Sequence, residues 1–205
     1  MKSEAIAFGI AGIAFGLIAG WVIGSQQAIV RSVSAPPAAA VAAAPAASAA
    51  APAPSLDEAK VSAFKAAADK EPKNAAPRVQ LANLYFDAER YTDAINWYGE
   101  ALKLQPNDAD VSTDLGVSYY YTNQPDRALE QFEHSLQVDP KHVKTLLNIG
   151  VVKAFGKQDL AGAETAWQQV LQLSPDSVEG QAAKRGLDSL RAAHPGSTTS
   201  PRPGA

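Results

Sequence analysis

The sequence predicts an all-α chain, a solenoid of stacked antiparallel helix pairs behind an N-terminal transmembrane helix. Three observations carry this reading. Pro72, Pro106 and Pro140 are spaced by 34 residues, and Pro175 follows at 35. Leu81, Leu115 and Ile149 keep the 34-residue step, as do the pairs Ala94/Ala128 and Tyr98/Phe132, with Ala163 and Trp167 following at 35. A fixed period of this length is the mark of a repeat architecture. The third observation is Ala5 to Gly24, twenty residues without a charge.

As a helix rising about 1.5 Å per residue, Ala5–Gly24 matches the roughly 30 Å hydrocarbon core of a bilayer. Residues 1–30 therefore read as a single-pass anchor, with Trp21 near its far end, where an indole suits the lipid boundary. A cleaved secretory signal is the rival reading. Its apolar core runs about 7–15 residues, and the best cleavage site, Val33-Ser34-Ala35, is followed by Pro36 and Pro37. Gly12, Gly16, Gly20 and Gly24 recur every four residues. Such a stripe lets another helix backbone approach closely, for self-association or for docking on a second membrane helix. Glycine is also simply common in such segments.

Residues 31–54 read as a flexible linker. From Ala35 to Pro54 the chain holds only Ala, Pro, Val and Ser, and its prolines break any long helix. The linker has no Lys or Arg between Arg31 and Lys60, so it crosses a membrane readily, which favours the N-terminus inside and a periplasmic repeat domain. The cytoplasmic side is the other topology. The Ala/Pro-rich tether and compact anchor point to a bacterial cell envelope.

Residues 55–74 read as a degenerate half-repeat helix opened by the capping box Ser55-x-x-Glu58. Next come three units, 75–108, 109–142 and 143–177. In the second, Leu115, Gly116 and Tyr119 share one helical face. After the turn at Asn123-Gln124-Pro125, so do Ala128, Phe132 and Ser135. Small residues let the two helices approach and large ones fill the space beside them. Pro125 suits the first helical turn, where its missing amide is not needed. The one extra residue of the third unit lies between Ile149 and Ala163, and the turn Phe155–Asp159 is the expected place for it. Residues 178–194 read as a capping helix, signalled by Asp176-x-x-Glu179, with a polar outer face of Lys184, Arg185, Asp188 and Arg191. Residues 195–205 are rich in Gly, Ser, Thr and Pro and read as a disordered tail.

The units resemble the tetratricopeptide repeat (TPR) family, whose pattern has a large residue, Leu-Gly, Tyr, Ala, Phe, Ala and Pro at fixed places. The first unit gives Arg78, Leu81-Ala82, Tyr85, Ala94, Tyr98, Ala101 and Pro106. The second gives Ser112, Leu115-Gly116, Tyr119, Ala128, Phe132, Ser135 and Pro140. The third gives Leu146, Ile149-Gly150, Lys153, Ala163, Trp167, Val170 and Pro175. Polar residues at the first place of two units, and Lys153 where Tyr is expected, depart from the pattern. The resemblance implies a curved array whose hollow side is lined by the first helix of each unit. The expected lining is Val79, Asn83, Phe86 and Asp87, then Asp110, Thr113, Asp114, Val117, Tyr120 and Tyr121, then Lys144, Leu147, Asn148, Val151 and Phe155. The aromatics suit apolar side chains of a peptide, and Asn83 and Asn148 suit its backbone. Lys144 is the one cation placed for a carboxylate. Tyr120, Tyr121 and Phe155 have a second reading, as packing between units.

Some members of the family hold a chaperone's C-terminal carboxylate with Lys, Arg and Asn. Asn83 and Lys144 fit that scheme, whereas Asp114 repels a carboxylate, so the sequence argues against it. Catalysis is disfavoured by the inventory. There is no Cys, the three His residues are far apart, and no phosphate loop GxxxxGK(S/T), no GxSxG elbow and no GxGxxG is present. His134 is expected on a helix surface and His142 at a unit boundary, neither with an evident partner. Asp108 and Asp110 read as helix-start residues rather than catalytic carboxylates. With 18 Lys+Arg against 21 Asp+Glu and a net charge of −3, a phosphate-held nucleic-acid binder is not expected. No cofactor and no metal is implied.

The function this predicts is a membrane-anchored scaffold, not an enzyme, that binds a peptide segment of another protein in its groove. Its expected place is a membrane-associated complex. A side-on assembly subunit of an envelope machine, of the kind that matures cytochrome c or builds pili, is the alternative. An enzyme of unrecognised motif is the third.

Overall fold

The structure, a computed structural model, describes residues 55–193. The predicted anchor with Gly12, Gly16, Gly20 and Gly24, the linker 31–54 and the tail 195–205 lie outside the described residues. Among the described residues no helix is long and apolar enough to cross a membrane.

Among the described residues eight α-helices follow one another: α1 Glu58–Lys70, α2 Ala76–Asp87, α3 Tyr91–Leu104, α4 Ala109–Tyr121, α5 Pro125–Val138, α6 Val143–Val151, α7 Leu160–Leu173 and α8 Val178–Ala193. The pairs α2/α3, α4/α5 and α6/α7 are the antiparallel hairpins, and α1 and α8 pack on α2 and α7 at the two ends. Pro72, Pro106, Pro140 and Pro175 all fall in the connections between helices, where their missing amide breaks no helical bond.

The second and third hairpins are each built on a glycine–ring pair. Gly116 of α4 lies against the Phe132 ring of α5; a Cβ there would stand 2.6 Å from Phe132 Cδ1. Gly150 of α6 meets the Trp167 indole of α7 in the same way, and Gly186 of α8 approaches the other side of that indole. Trp167, Phe132 and Tyr98, the three large residues of the 34-residue pattern, are all at most 2% exposed. Trp167 Nε1 donates to the Leu147 carbonyl at 3.1 Å, so the indole's one donor is satisfied inside the core.

The turns inside the hairpins repeat as faithfully as the core. Glu89, Asn123 and Gln158 have φ of 58°, 60° and 57°, and their spacing is that of the units. After the first two, Arg90 N donates to Tyr85 O and Gln124 N to Tyr119 O, closing the helix ends by a left-handed cap. In the third turn the matching bond runs from Asp159 N to Lys153 O and spans one residue more. The reason is a π-helical turn, Val152–Gly156, that continues α6. A π turn absorbs one added residue without breaking the helix. The extra residue of the third unit is therefore taken up mainly inside the helix, not in the loop after it. Lys153, the residue where Tyr was expected, reaches across this turn to Asp159 at 3.5 Å.

Two expected caps are corrected. The first helix is capped by Asp57, whose carboxylate accepts from Lys60 N at 3.0 Å, not by Ser55. The last is capped by Ser177, whose Oγ accepts from Gly180 N at 3.0 Å, rather than by Asp176. In both cases a second capping residue stands closer to the first helical turn, so its oxygen reaches the free amide. Asp108 and Asp159 cap α4 and α7 by the same bond, and Pro125 opens α5 as expected.

Candidate functional site

The first helices α2, α4 and α6 stand side by side. Two contacts show this: the Phe86 ring of α2 meets Tyr121 of α4 at 6.0 Å between centroids, edge on, and Asp114 Oδ1 of α4 lies 2.7 Å from Lys144 Nζ of α6. One face thus collects most of the predicted lining, and it divides into a polar middle and an aromatic end.

In the middle, Asn83 Oδ1 accepts from the Tyr98 hydroxyl at 2.7 Å. That tyrosine comes from α3 and is buried; burial, with the fields of Asp114 and Asp87, pushes its phenol well above the ordinary value. The bond occupies the Asn83 carbonyl and leaves its amide donors for another partner. Asn148 Nδ2 donates to the Lys144 carbonyl at 2.8 Å, which leaves its Oδ1 as an acceptor. Burial raises the Asp114 carboxyl above its ordinary value; Lys144 pulls the other way, and Asp110 and Asp108 add to the rise. Lys144 is thus not a cation awaiting a carboxylate. Its charge is met within the fold, and that part of the expectation is corrected.

At the aromatic end, Tyr91, the first residue of α3, stacks on Tyr121 with centroids 4.5 Å apart and planes 11° from parallel. Phe86 meets Tyr91 edge on at 5.3 Å. Tyr120 lies tilted beside Tyr121 at 6.0 Å. Phe86, Tyr91 and Tyr121 are each half-buried, so none of the three is closed off in the core. Tyr91 was not among the expected lining. Its only sequence signal is an aromatic residue at the first position of a second helix, two places after the turn.

The remaining predicted residues divide. Val117, Val151 and Asp87 stay at least partly open, and Phe155, in the π turn, is 39% exposed. Val79 and Phe86 also pack on the core of the first unit, and Val117 and Tyr120 on the cluster of Ala128, Phe132 and Val152. Burial pushes the Tyr120 phenol up to about 12. Leu147 and Thr113 are corrections. Leu147 is 2% exposed, because α6 is covered by both α7 and α8 and Leu147 lies on the covered side. Thr113 is fully buried in a polar joint between the second and third units.

That joint was not foreseen. Thr113 and Ser135 each donate to the Ala109 carbonyl, at 2.7 and 2.8 Å. Thr145 Oγ1 lies 2.6 Å from Thr113 and 2.8 Å from Ser135. His142 Nδ1 lies 2.6 Å from Thr145 Oγ1, and its Nε2 faces Asp110 Oδ1 at 3.2 Å. His134 Nδ1 likewise meets Ser112 Oγ at 3.2 Å. Both histidines therefore have partners. The order Asp110–His142–Thr145 has the look of a hydrolytic relay, but Thr145 is fully buried and its oxygen meets no solvent, so it offers no nucleophile. Among the described residues no group of carboxylates and histidines is arranged to hold a metal ion.

Comparison with known proteins agrees with this architecture. Residues 82–123 match the family profile described as TPR repeat, and residues 113–178 that described as tetratricopeptide repeat. Residues 82–178 thus carry tetratricopeptide repeats. The chain is 28% identical over 113 residues to protein O-mannosyl-transferase TMTC3 of Homo sapiens, a match that covers 55% of this chain and 12% of that protein. Among solved structures, the MamA crystal structure superposes with a TM-score of 0.56 at 16% identity, covering 63% of this chain and 76% of that one. The first TPR of Spaghetti (RPAP3), bound to the HSP90 peptide SRMEEVD, superposes with a TM-score of 0.51 at 20% identity, covering 57% and 92%. These structural likenesses establish the fold.

Proposed function

We propose that this protein is a membrane-anchored scaffold that grips an extended segment of a partner protein on the face of α2, α4 and α6. The observation that carries the reading is the half-exposed aromatic cluster Phe86, Tyr91 and Tyr121, assembled from two successive units. Aromatic side chains left partly open on one face of a repeat array mark a binding surface, since they offer large contact area at little loss of freedom. Asn83 and Asn148, each with part of its amide uncommitted, stand beside it for the backbone of the bound segment. The solved Spaghetti repeat, with its bound peptide, supports the mode of binding.

In this reading residues 5–24 hold the protein in a bacterial membrane. The linker 31–54 displays the repeats in the periplasm, and the glycine stripe serves self-association or a second membrane helix. Tethering raises the effective concentration for a weak peptide contact. No catalytic step and no cofactor is part of the proposal. A carboxylate clamp of the chaperone-binding kind is not part of it either, because Lys144 is paired with Asp114.

The test is capture of partners by the full chain from detergent-solubilised membranes, with Phe86→Ala and Tyr121→Ala against Glu133→Ala on the exposed side of α5. Loss of the same partner in both aromatic variants, and its retention by Glu133→Ala, is the expected result. Retention by all three removes the proposal. A side-on assembly role is the second reading, favoured by Leu173 and Val178, 39% and 46% exposed at the α7–α8 junction. Photo-cross-linkers at Leu173 and at Tyr121 separate the two modes by which one captures the partner.

A further inference from the structure

The charges around the aromatic end are not arranged for an acidic ligand. The cations nearby are engaged: Lys144 with Asp114, and Arg90 with Asp93 at 2.7 Å while its guanidinium carbon lies 5.0 Å over the Tyr85 ring. Arg127 donates to the Tyr119 hydroxyl at 2.7 Å and lies 4.0 Å over that ring. Carboxylates stand in the opposite position. Among the described residues, no cation forms an ion pair with Asp87 or Glu89.

Asp87 follows Phe86 directly and lies one helical turn after Asn83, on the same face of α2. Partial desolvation by its neighbours raises its carboxyl, although the residue stays exposed, and no partner lowers it again. The charge of Glu89 reaches both Tyr91 and Tyr121 and adds to the burial that raises their phenols. A stacked pair of phenol rings, whose faces are themselves electron-rich, thus sits in the field of Glu89, with Asp87 next to Phe86 in the chain and neither acid in an ion pair among the described residues.

We infer that this patch receives an arginine side chain of the partner's segment, its guanidinium against the Phe86, Tyr91 and Tyr121 rings and its charge met by Asp87 and Glu89. The inference rests on the groove reading and names the class of segment that the groove selects. Arginine fits better than lysine, because a planar guanidinium stacks on an aromatic face and also offers forked donors to a carboxylate. A segment ending in carboxylates meets two unpaired acids and a lysine already held. A bound cation gives Asp87 the ion pair it otherwise lacks. Dependence on both rings and acids distinguishes this from a merely apolar contact.

The test uses the full chain in detergent micelles, panned against a phage-displayed random dodecapeptide library, with Tyr121→Ala as the counter-screen. The expected result is a set of binders enriched in arginine and lost with Tyr121→Ala. A synthetic binder is then compared with its Arg→Gln form on the parent and on Asp87→Asn, an exposed site where the change is not expected to disturb the fold. Either change alone weakens binding about tenfold, and the two together weaken it little further. Raised salt weakens the arginine form selectively. Binders that depend on Tyr121 but carry no arginine, or that favour glutamate, overturn the inference and leave the groove reading standing. If no binder depends on Tyr121, both fall.

Discussion

Three helix-interior glycines answer differently to the same substitution, and the difference follows from what each one faces. Replacing glycine by alanine inside a helix ordinarily gains up to about 1 kcal/mol, because the unfolded chain loses freedom and the helix gains propensity. Gly99, within α3, has nothing within 4 Å of an added Cβ, so Gly99→Ala stabilises by most of that amount. At Gly116 the new methyl meets Phe132 Cδ1 at 2.6 Å and the Ala128 carbonyl oxygen at 3.2 Å. Phe132 is 0% exposed and has nowhere to swing. Overpacking of a closed core costs about 1–3 kcal/mol, which exceeds the propensity gain, so Gly116→Ala is a net loss. Gly150→Ala is the worst of the three, for the displaced Trp167 indole also strains its bond to the Leu147 carbonyl, worth about 1 kcal/mol more. For a domain of this size, 1 kcal/mol moves the melting temperature by roughly 2–4 °C. Thermal and urea denaturation followed by far-ultraviolet circular dichroism place the variants in the order Gly99→Ala above parent, then Gly116→Ala, then Gly150→Ala. Adding Phe132→Leu to Gly116→Ala gives a smaller loss than the sum of the two single changes, since the ring that clashes is gone. A Gly116→Ala protein as stable as the parent, or a destabilised Gly99→Ala, would refute the packing argument.

Further outcomes follow from the turns and from the half-buried Asp114. Gln158 holds a left-handed φ of 57°, a conformation that costs an L-residue about 1–2 kcal/mol and glycine little; Gln158→Gly therefore raises the urea midpoint. The Asp114 carboxyl is held above its ordinary 3.8. Between 3.8 and that raised value the folded protein binds more protons than the unfolded chain, so this group's contribution to stability rises as pH falls through the window. Asp57 and Asp159 are held low, first of all by the backbone amides of Lys60 and Gly162. They act in the opposite sense, with stability lost as pH falls below about 3.8 through their folded values. Melting temperatures taken from pH 7 down to 4 show a smaller gain for Asp114→Asn than for the parent, with Asp87, also raised, retaining its share. An identical slope in the two proteins removes burial of Asp114 as the cause.

The helix pairs were legible in the sequence because the period and the packing are one fact. Gly116 opposite Phe132 and Gly150 opposite Trp167 recur a unit apart because each of these two rings lies where a Cβ would stand, and the first unit keeps the pattern with the small residue Ala82. The caps at Asp57 and Ser177 were less legible, because Ser55, Asp57, Asp176 and Ser177 are all capping residues and only the start of the first turn chooses among them. The added residue of the third unit was countable but not locatable, since sequence fixes how many residues a turn holds and not which carbonyl accepts. On the first-helix face, Asn83, Phe86, Asp114 and Tyr121 fell where helical spacing put them. Leu147 and Thr113 did not, because one residue of helix turns a side chain by about 100°, enough to move it from an open face to one a neighbour covers. The distant partners of His134 and His142 were out of reach for another reason: His134 meets Ser112, 22 places away, and His142 meets Asp110, 32 places away, and no local pattern records such a meeting, although the other partner of His142, Thr145, is only three places on.

The π turn at Val152–Gly156 makes the third hairpin a bespoke part. Copying the second hairpin into its slot would leave the chain a residue short there. Everything downstream would be re-aimed by that shortfall. It would also deliver a phenyl ring to a cleft that two glycines, Gly150 and Gly186, have hollowed to the width of an indole. The second hairpin therefore cannot stand in for the third, and the joint between the third hairpin and α8 is fitted to the indole of Trp167.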